Sequence, residues 1–358
     1  MNTNISKNLL RLRTINEYTQ EKVADAVGIS RPNYINLEHG SSSPRMSTLQ
    51  NIARFYKIKI DEILMEDVSS NTIRFRCKKL DTKKKETQRE IILNQFCSAR
   101  DDYNSLQEIL NTRMNYKLSN TNFDNPKVAA QSVRKILNLK QDEPILDICG
   151  IMEKIGVNLI FLEASLEEFF GLSEYSDKLP PTIGINHSKD ISIERKIFTI
   201  AHEFGHILLH KNSYRSDEKD EIQREEKEAD EFASYFLLPK EGFDKELKKR
   251  MGFSFVDKVL QIKRIFKVSY MTVLTRLNQT NQLKYNPFGV FKKNYPIKLS
   301  KKSEPEGLTE YDFSEERFPR LVQEAVLKEK ISLSRGAELL NLSNSEMRKL
   351  VNEWYLEV

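Results

Sequence analysis

The chain has 358 residues, 39% of them hydrophobic and 30% charged, enough for two or three packed cores. No apolar run approaches the roughly 20 residues of a membrane span, and the N-terminus shows no secretory h-region, so a cytoplasmic protein without membrane association is expected. Against 52 acids, 57 Lys and Arg leave a net charge of +5, so any nucleic-acid surface must be local; three scattered cysteines, Cys77, Cys97 and Cys149, give neither a disulfide framework nor a thiolate zinc site.

Leu9, Leu10, Leu12 and Ile15 mark a first helix. Thr19 caps a second, Gln20 to Val27, which Gly28 ends; Ile29 fills the turn and Ser30 caps a third, with Pro32 inside it and Gly40 beyond. A fourth helix carries Leu49, Ile52, Ala53 and Phe55, and a short fifth runs from Ile60 to Leu64. Five short helices within residues 1–66, with a glycine turn between the second and third, form a helix-turn-helix pattern. At Thr19-Gln-Glu-Lys-Val-Ala, Gly28-Ile-Ser-Arg, Tyr34-Ile-Asn-Leu-Glu-His-Gly40 and Pro44 this segment resembles the XRE-type helix-turn-helix family. The resemblance implies binding to double-stranded DNA, with Ser30, Arg31, Asn33 and Tyr34 nearest the bases and Gln20 on phosphate. Arg31 is the one basic residue on the reading helix, and docking of another protein is the alternative use.

Residues 67–125 read as a basic connector and a helix. Arg74, Arg76, Lys78, Lys79 and Lys83 to Lys85 are expected to be a solvated run, residues 87–110 a helix, and residues 115–125, rich in Asn, Thr and Ser, a linker.

Residues 126–282 open with helices at 126–139 and 145–155, then strands at 157–162 and 182–186. Next comes Phe198-Thr-Ile-Ala-His-Glu-Phe-Gly-His-Ile-Leu-Leu-His210, an apolar helix with His202, Glu203 and His206 in its middle. Residues four apart share a helix face, so both imidazoles aim at one ion; Glu203, about 100° round, is placed to move a proton between water and a departing amine. This is the zinc-hydrolase spacing His-Glu-x-x-His. Twenty residues on, Glu226-Lys-Glu-Ala-Asp-Glu-Phe-Ala-Ser-Tyr-Phe-Leu-Leu-Pro239 gives a second amphipathic helix in which Glu226 and Asp230 share a side with Ala229 and Ala233. Glu226 is read as the third ligand, with Glu228 its rival, and Asp230 as acceptor of a ligating histidine's second N–H. Glu221, Glu225 and Glu228 are read as solvated, His187 as a surface residue, and His210, about two turns past His202, as out of reach of the ion. Tyr235 is the candidate oxyanion donor. The donor set favours zinc; manganese is the alternative.

These two blocks resemble the ImmA/IrrE family of metallopeptidases, with a match from Ile145 to Leu277. The resemblance implies a zincin-like fold, a strand at 182–186 near the cleft where an extended substrate adds, and an endopeptidase that cuts a repressor-type protein to relieve repression under stress or mobile-element induction. The competing reading is a non-catalytic DNA-binding regulator, or an antitoxin-like interaction protein, whose metal is structural or sensory.

Residues 283–358 read as an extended connection at 284–307 followed by three helices, a small C-terminal helical domain. No internal repeat is visible in the sequence. The expected fold class is mainly α with a small sheet (α+β): an all-α helix-turn-helix domain, a zincin-like metallopeptidase domain and the C-terminal helices.

Overall fold

The computed structural model describes residues 3–16, 18–56, 58, 60–64, 73–75, 82–166, 168–214, 223–279, 285–295 and 304–356. The chain divides into two compact units, one of residues 1–70, 77–98 and 166–168, the other of residues 71–76, 99–165 and 169–358.

The first unit holds helices α1 (Thr3–Ile15), α2 (Gln20–Val27), α3 (Arg31–Glu38), α4 (Met46–Tyr56) and α5 (Ile60–Leu64). Local chemistry sets their ends. Thr19 accepts a hydrogen bond from the Lys22 amide to start α2, Gly28 takes the left-handed conformation (φ 78°) that stops it, and Ser30 accepts from Asn33 to start α3. Leu9, Val23, Ala24, Tyr34, Leu37 and Ile52 are among the residues that close the core between them. Under it lies a buried carboxylate, Glu38, held by Arg13 at 2.5 and 3.1 Å and by the Gln20 amide at 2.9 Å.

Helix α6 (Lys83–Ile109) begins in the first unit and ends in the second. The second unit is built on a four-stranded sheet, order β1-β3-β4-β2, of β1 (Ile73–Phe75), β2 (Asn158–Leu162), β3 (Gly171–Glu174) and β4 (Thr182–Asn186). Strand β2 runs parallel to β4, while β3 is antiparallel to both β4 and β1. Helices α7 (Pro126–Ile136) and α8 (Ile148–Ile155) fall between β1 and β2 in the chain; α9 (Ile193–Leu209) lies against β3 and β4, and α10 (Gln223–Leu237) packs on α9. Ile200, Ala201, Phe204 and Ile207 of α9 and Phe232, Ala233 and Phe236 of α10 are fully buried in one core. Helices α11 (Lys240–Lys249), α12 (Phe255–Phe266), α13 (Tyr270–Gln279) and α14 (Pro287–Asn294) follow, then α15 (Arg317–Leu327), α16 (Leu333–Leu339) and α17 (Asn344–Leu356).

Several expectations change. Strand β4 is interior, paired on both sides, so it offers no free edge to an extended substrate, and β1 is paired along β3. The basic run expected to be solvated contributes β1 itself: the Arg74 side chain is half-buried and donates to Glu225 at 2.6 Å. Arg76, Lys78 and Lys79, with Cys77, lie outside the described residues, as does Glu221. Residues 115–125 are packed as well as linking. Leu118 is buried, and Lys211 on the turn after α9 donates to the carbonyls of Leu118, Ser119 and Thr121 at 3.2, 2.9 and 2.6 Å. The segment read as extended, residues 284–307, contains α14, capped by Asn286 with Pro287 at its first turn. His187 is half-buried, its ring 4.9 Å from that of Phe161. Among the described residues no helix is long and apolar enough to cross a membrane.

Candidate metal centre

Helix α9 starts at Ser192, which accepts from the Arg195 amide, and runs with almost every residue buried. Burying His202, Glu203 and His206 in such a helix demands partners for each. Close approach of α10 supplies them. A Cβ on Gly205 would stand 3.0 Å from Phe232 Cδ1 and 3.3 Å from Ala229 Cα, so glycine at this position is what lets the two helices touch.

That contact brings Glu226 over the two histidines. Nε2 of His202 and Nε2 of His206 are 3.0 Å apart; Glu226 Oε1 is 2.9 Å from the latter and Oε2 is 3.4 Å from the former. The three groups each offer a ligand atom within 4.8 Å of one another.

The outer nitrogens are also engaged. His202 Nδ1 lies 2.8 Å from Asp230 Oδ1, one turn along α10 from Glu226. His206 Nδ1 lies 2.9 Å from His210 Nδ1, and His210 Nε2 is 2.9 Å from Glu228 Oε2. The carboxylates accept, so the hydrogen-bond network assigns N–H to His202 Nδ1 and His210 Nε2; His210 Nδ1 then accepts from His206 Nδ1–H. Burial keeps His206 and His210 below their ordinary pKa, favouring neutral rings. Both Nε2 lone pairs therefore face each other and a carboxylate. Acceptors so close need a cation among them, and two neutral imidazoles with one carboxylate make a donor set suited to Zn²⁺.

Glu203 points to the sheet. Its Oε2 accepts from Ser173 Oγ on β3 at 2.6 Å, and that hydroxyl lies 2.6 Å from the Tyr214 hydroxyl, whose pKa burial raises. Gly171 makes room: a Cβ there would meet Thr199 Cγ2 at 2.5 Å and Glu203 Cγ at 3.4 Å. Behind the ligand, Glu225 accepts from Arg74 at 2.6 Å and Ser213 at 2.7 Å, and Arg74 Nη2 is 3.6 Å from Glu226.

An IrrE N-terminal-like domain model of the M78 peptidase family matches residues 152–278, and a helix-turn-helix model matches residues 9–63. The chain is an XRE-type helix-turn-helix domain fused to an IrrE-like domain. The cryptic phage CTXphi transcriptional repressor RstR of Vibrio cholerae is 31% identical over 61 residues, 17% of this chain and 55% of that protein. The HTH-type transcriptional regulator YqaE of Bacillus subtilis (strain 168) is 33% identical over 75 residues, 21% of this chain and 65% of that protein. Both matches thus span less than two thirds of the relative's own length. A Mycobacterium tuberculosis transcriptional regulator of known structure aligns over 51% of this chain and 54% of its own, at 15% identity and a TM-score of 0.31.

Within the IrrE-like domain, His202, His206 and Glu226 are brought together, with Asp230 behind one histidine, while Glu203 turns its carboxylate to Ser173. Tyr235 is not. Nine residues past Glu226 it lies about half a turn round α10, where its ring takes the Arg276 guanidinium at 3.9 Å and the Lys127 ammonium at 5.5 Å. Glu228, the rival ligand, holds His210 instead, and Glu225, read as solvated, is buried. His210 is out of the cluster but sets the tautomer of His206. Its i+4 spacing from His206 was the signal for that contact; Ser173, Tyr214 and Arg74 had no local signal at all.

In the helix-turn-helix domain, Ser30, Arg31 and Asn33 are exposed at the start of α3. Tyr34 is fully buried, its pKa raised chiefly by that burial, so it is a core residue and not a base contact. Gln20 is half-buried, with its amide donated to Glu38.

Proposed function

We propose that this protein is a zinc-dependent endopeptidase and transcriptional regulator that cuts a helix-turn-helix repressor or a similar partner protein, with residues 1–66 reading double-stranded DNA. The observation that carries the reading is Glu203. It follows His202 in α9 and is buried, yet it is not one of the cluster His202, His206 and Glu226, and a structural or sensing site needs ligands but no extra buried carboxylate.

A Zn²⁺ held by His202, His206 and Glu226 would supply Lewis acidity toward a scissile carbonyl and an attacking water; Mn²⁺ is the alternative ion. The chain's residues do the rest. Glu203 takes the proton from the attacking water and gives it to the departing amine. Ser173, held by Tyr214, donates to Glu203 Oε2 and aims that carboxylate. Asp230 and the His210–Glu228 pair keep both imidazoles in the ligating tautomer.

The test is co-expression of the protein, wild type and Glu203→Gln, with each helix-turn-helix protein encoded beside it, followed by intact mass and metal content. One neighbour cut at a single bond by the wild type only, with about one metal ion per chain in both samples, supports the reading. Metal in both with no cleavage under any inducing stress rejects turnover and leaves a DNA-binding regulator stabilised or gated by metal.

A further inference from the structure

The helix pair α16–α17 repeats the helix pair α2–α3 at a constant offset of 313 residues, taking Thr19–Ser30 onto Ser332–Ser343. Thr19 accepts from the amide of Lys22, and Ser332 accepts from the amide of Arg335. Ala24 and Ala337 are buried at 0% and 3% exposure at the same point of the first helix. Gly28 and Asn341 both take positive φ, 78° and 54°. The next amide turns back identically, from Ile29 to the Ala24 carbonyl at 3.0 Å and from Leu342 to the Ala337 carbonyl at 2.8 Å. Ser30 then caps α3 through Asn33, as Ser343 caps α17 through Glu346. Four residues past each serine comes one fully buried side chain, Tyr34 or Met347. Between Thr19–Ser30 and Ser332–Ser343 the only identities are Ala24 with Ala337 and Ser30 with Ser343, so the likeness lies in the layout of caps and turn and not in residue identity.

A corner of this kind is not by itself a reading head. Lys267 (φ 52°), Val268 and Ser269 make a similar one between α12 and α13, yet α13 buries Thr272, Val273, Leu274, Arg276 and Leu277 and has no face to offer a groove. Helix α17 differs. Over 13 residues it buries only Met347 and Trp354, and α15 supplies Val326 and Leu327 to the small core behind it. At about 100° per residue, Ser345, Arg348, Lys349 and Asn352 share the side opposite those two anchors. None of the four is buried, and no acid lies among them. The acids Glu346 and Glu353 fall on one flank, and Glu346 is tied to Ser343 by its amide at 2.8 Å and its hydroxyl at 2.6 Å.

We propose that α15–α17 form a second helix-turn-helix that binds double-stranded DNA, with α17 in the major groove and Ser345, Arg348, Lys349 and Asn352 facing it. Two cations flanked by two short polar side chains on one open helix face fit a polyanion carrying base-edge donors and acceptors.

The test uses the full chain and a pool of random-sequence duplex DNA, with affinity measured by fluorescence anisotropy over a salt series. Four proteins are compared: wild type, Arg31→Glu, the pair Arg348→Glu with Lys349→Glu, and all three changes together. The exposed Arg348 and Lys349 leave the fold intact when changed, which thermal melting checks. Expected is residual binding by Arg31→Glu, at least tenfold weaker binding by the Arg348/Lys349 pair at low salt, a log–log salt slope shallower by about 1 to 2, and no binding by the triple variant. Wild-type affinity and slope in the Arg348/Lys349 pair overturn the proposal, as does a wild type that ignores duplex DNA. If those two changes instead alter oligomeric mass and leave DNA affinity alone, α17 docks another copy of the chain and the proposal fails.

Discussion

Glu38 in the helix-turn-helix unit and Glu226 in the IrrE-like domain are carboxylates set between packed helices, the first buried and the second half-buried, and they are answered in opposite ways. Glu38 meets donors: the Arg13 guanidinium and the Gln20 amide, all from the chain. Glu226 meets the inner ring nitrogens of two histidines whose outer N–H groups are already given away to Asp230 and His210, with the Arg74 guanidinium farther off at 3.6 Å. A buried acid closed by protein donors is a structural knot, whereas an acid set against two imidazole lone pairs is suited to sharing a cation with them. Glu304 is an intermediate case. It accepts from the Tyr270 amide at 2.7 Å but lies 3.4 Å from the Lys263 ammonium, and burial raises its pKa to about 7.

Four measurements test the contrast. Glu226→Ala should reduce bound metal from about one ion per chain to none after dialysis, a loss beyond about 10³-fold in affinity, with the helix-turn-helix unit's DNA affinity unchanged. Retained metal would show that Glu226 is no ligand. Glu38→Ala should leave metal content untouched and cost about 3 kcal/mol of the first unit's stability in urea, because Arg13 loses its buried partner. A cost under about 0.5 kcal/mol would make Glu38 a surface residue in effect.

For Glu304 the folded state holds the proton more tightly than the unfolded chain. Stability should therefore be unaffected below pH 4.5 and fall as pH rises from there to about 7, by on the order of 3 kcal/mol. Glu304→Gln should flatten that limb, and an unchanged pH profile of urea unfolding would count against the burial argument. The smallest effect is expected behind the metal. Asp230→Asn and His210→Phe should each weaken metal affinity by about 10- to 100-fold without changing stoichiometry, read by competition with a coloured chelator. Equal affinity in His210→Phe would remove the tautomer relay through Glu228.

Local signals in the chain were strong where one helix carries the whole message. The spacing of His202, Glu203 and His206, the serine and threonine caps and the Gly28 turn are each legible from neighbouring residues. Glu226 needed a second helix, and its choice over Glu228 rested on periodicity alone. Tyr235 shows the limit of that method: proximity along the helix put it near the site, but its phase turned it to Arg276. The same limit hid Glu225, which looks like one more acid in an acidic run and is buried because Arg74 arrives from 151 residues earlier.

The helices, their caps, the two-histidine face and the division into a helix-turn-helix and an IrrE-like segment are legible in the amino-acid order, because they depend on periods and turns that act within a few residues. It took packing between distant segments to show that Glu226 meets the histidines, that β1 is paired along β3, that Ser173 bonds Glu203, and that α16–α17 follow the cap and turn geometry of α2–α3. Those depend on how closely helices and strands approach, which Gly205 and Gly171 permit but no local pattern announces. Contacts between distant segments are set by packing shape, and shape exists only once the chain has folded.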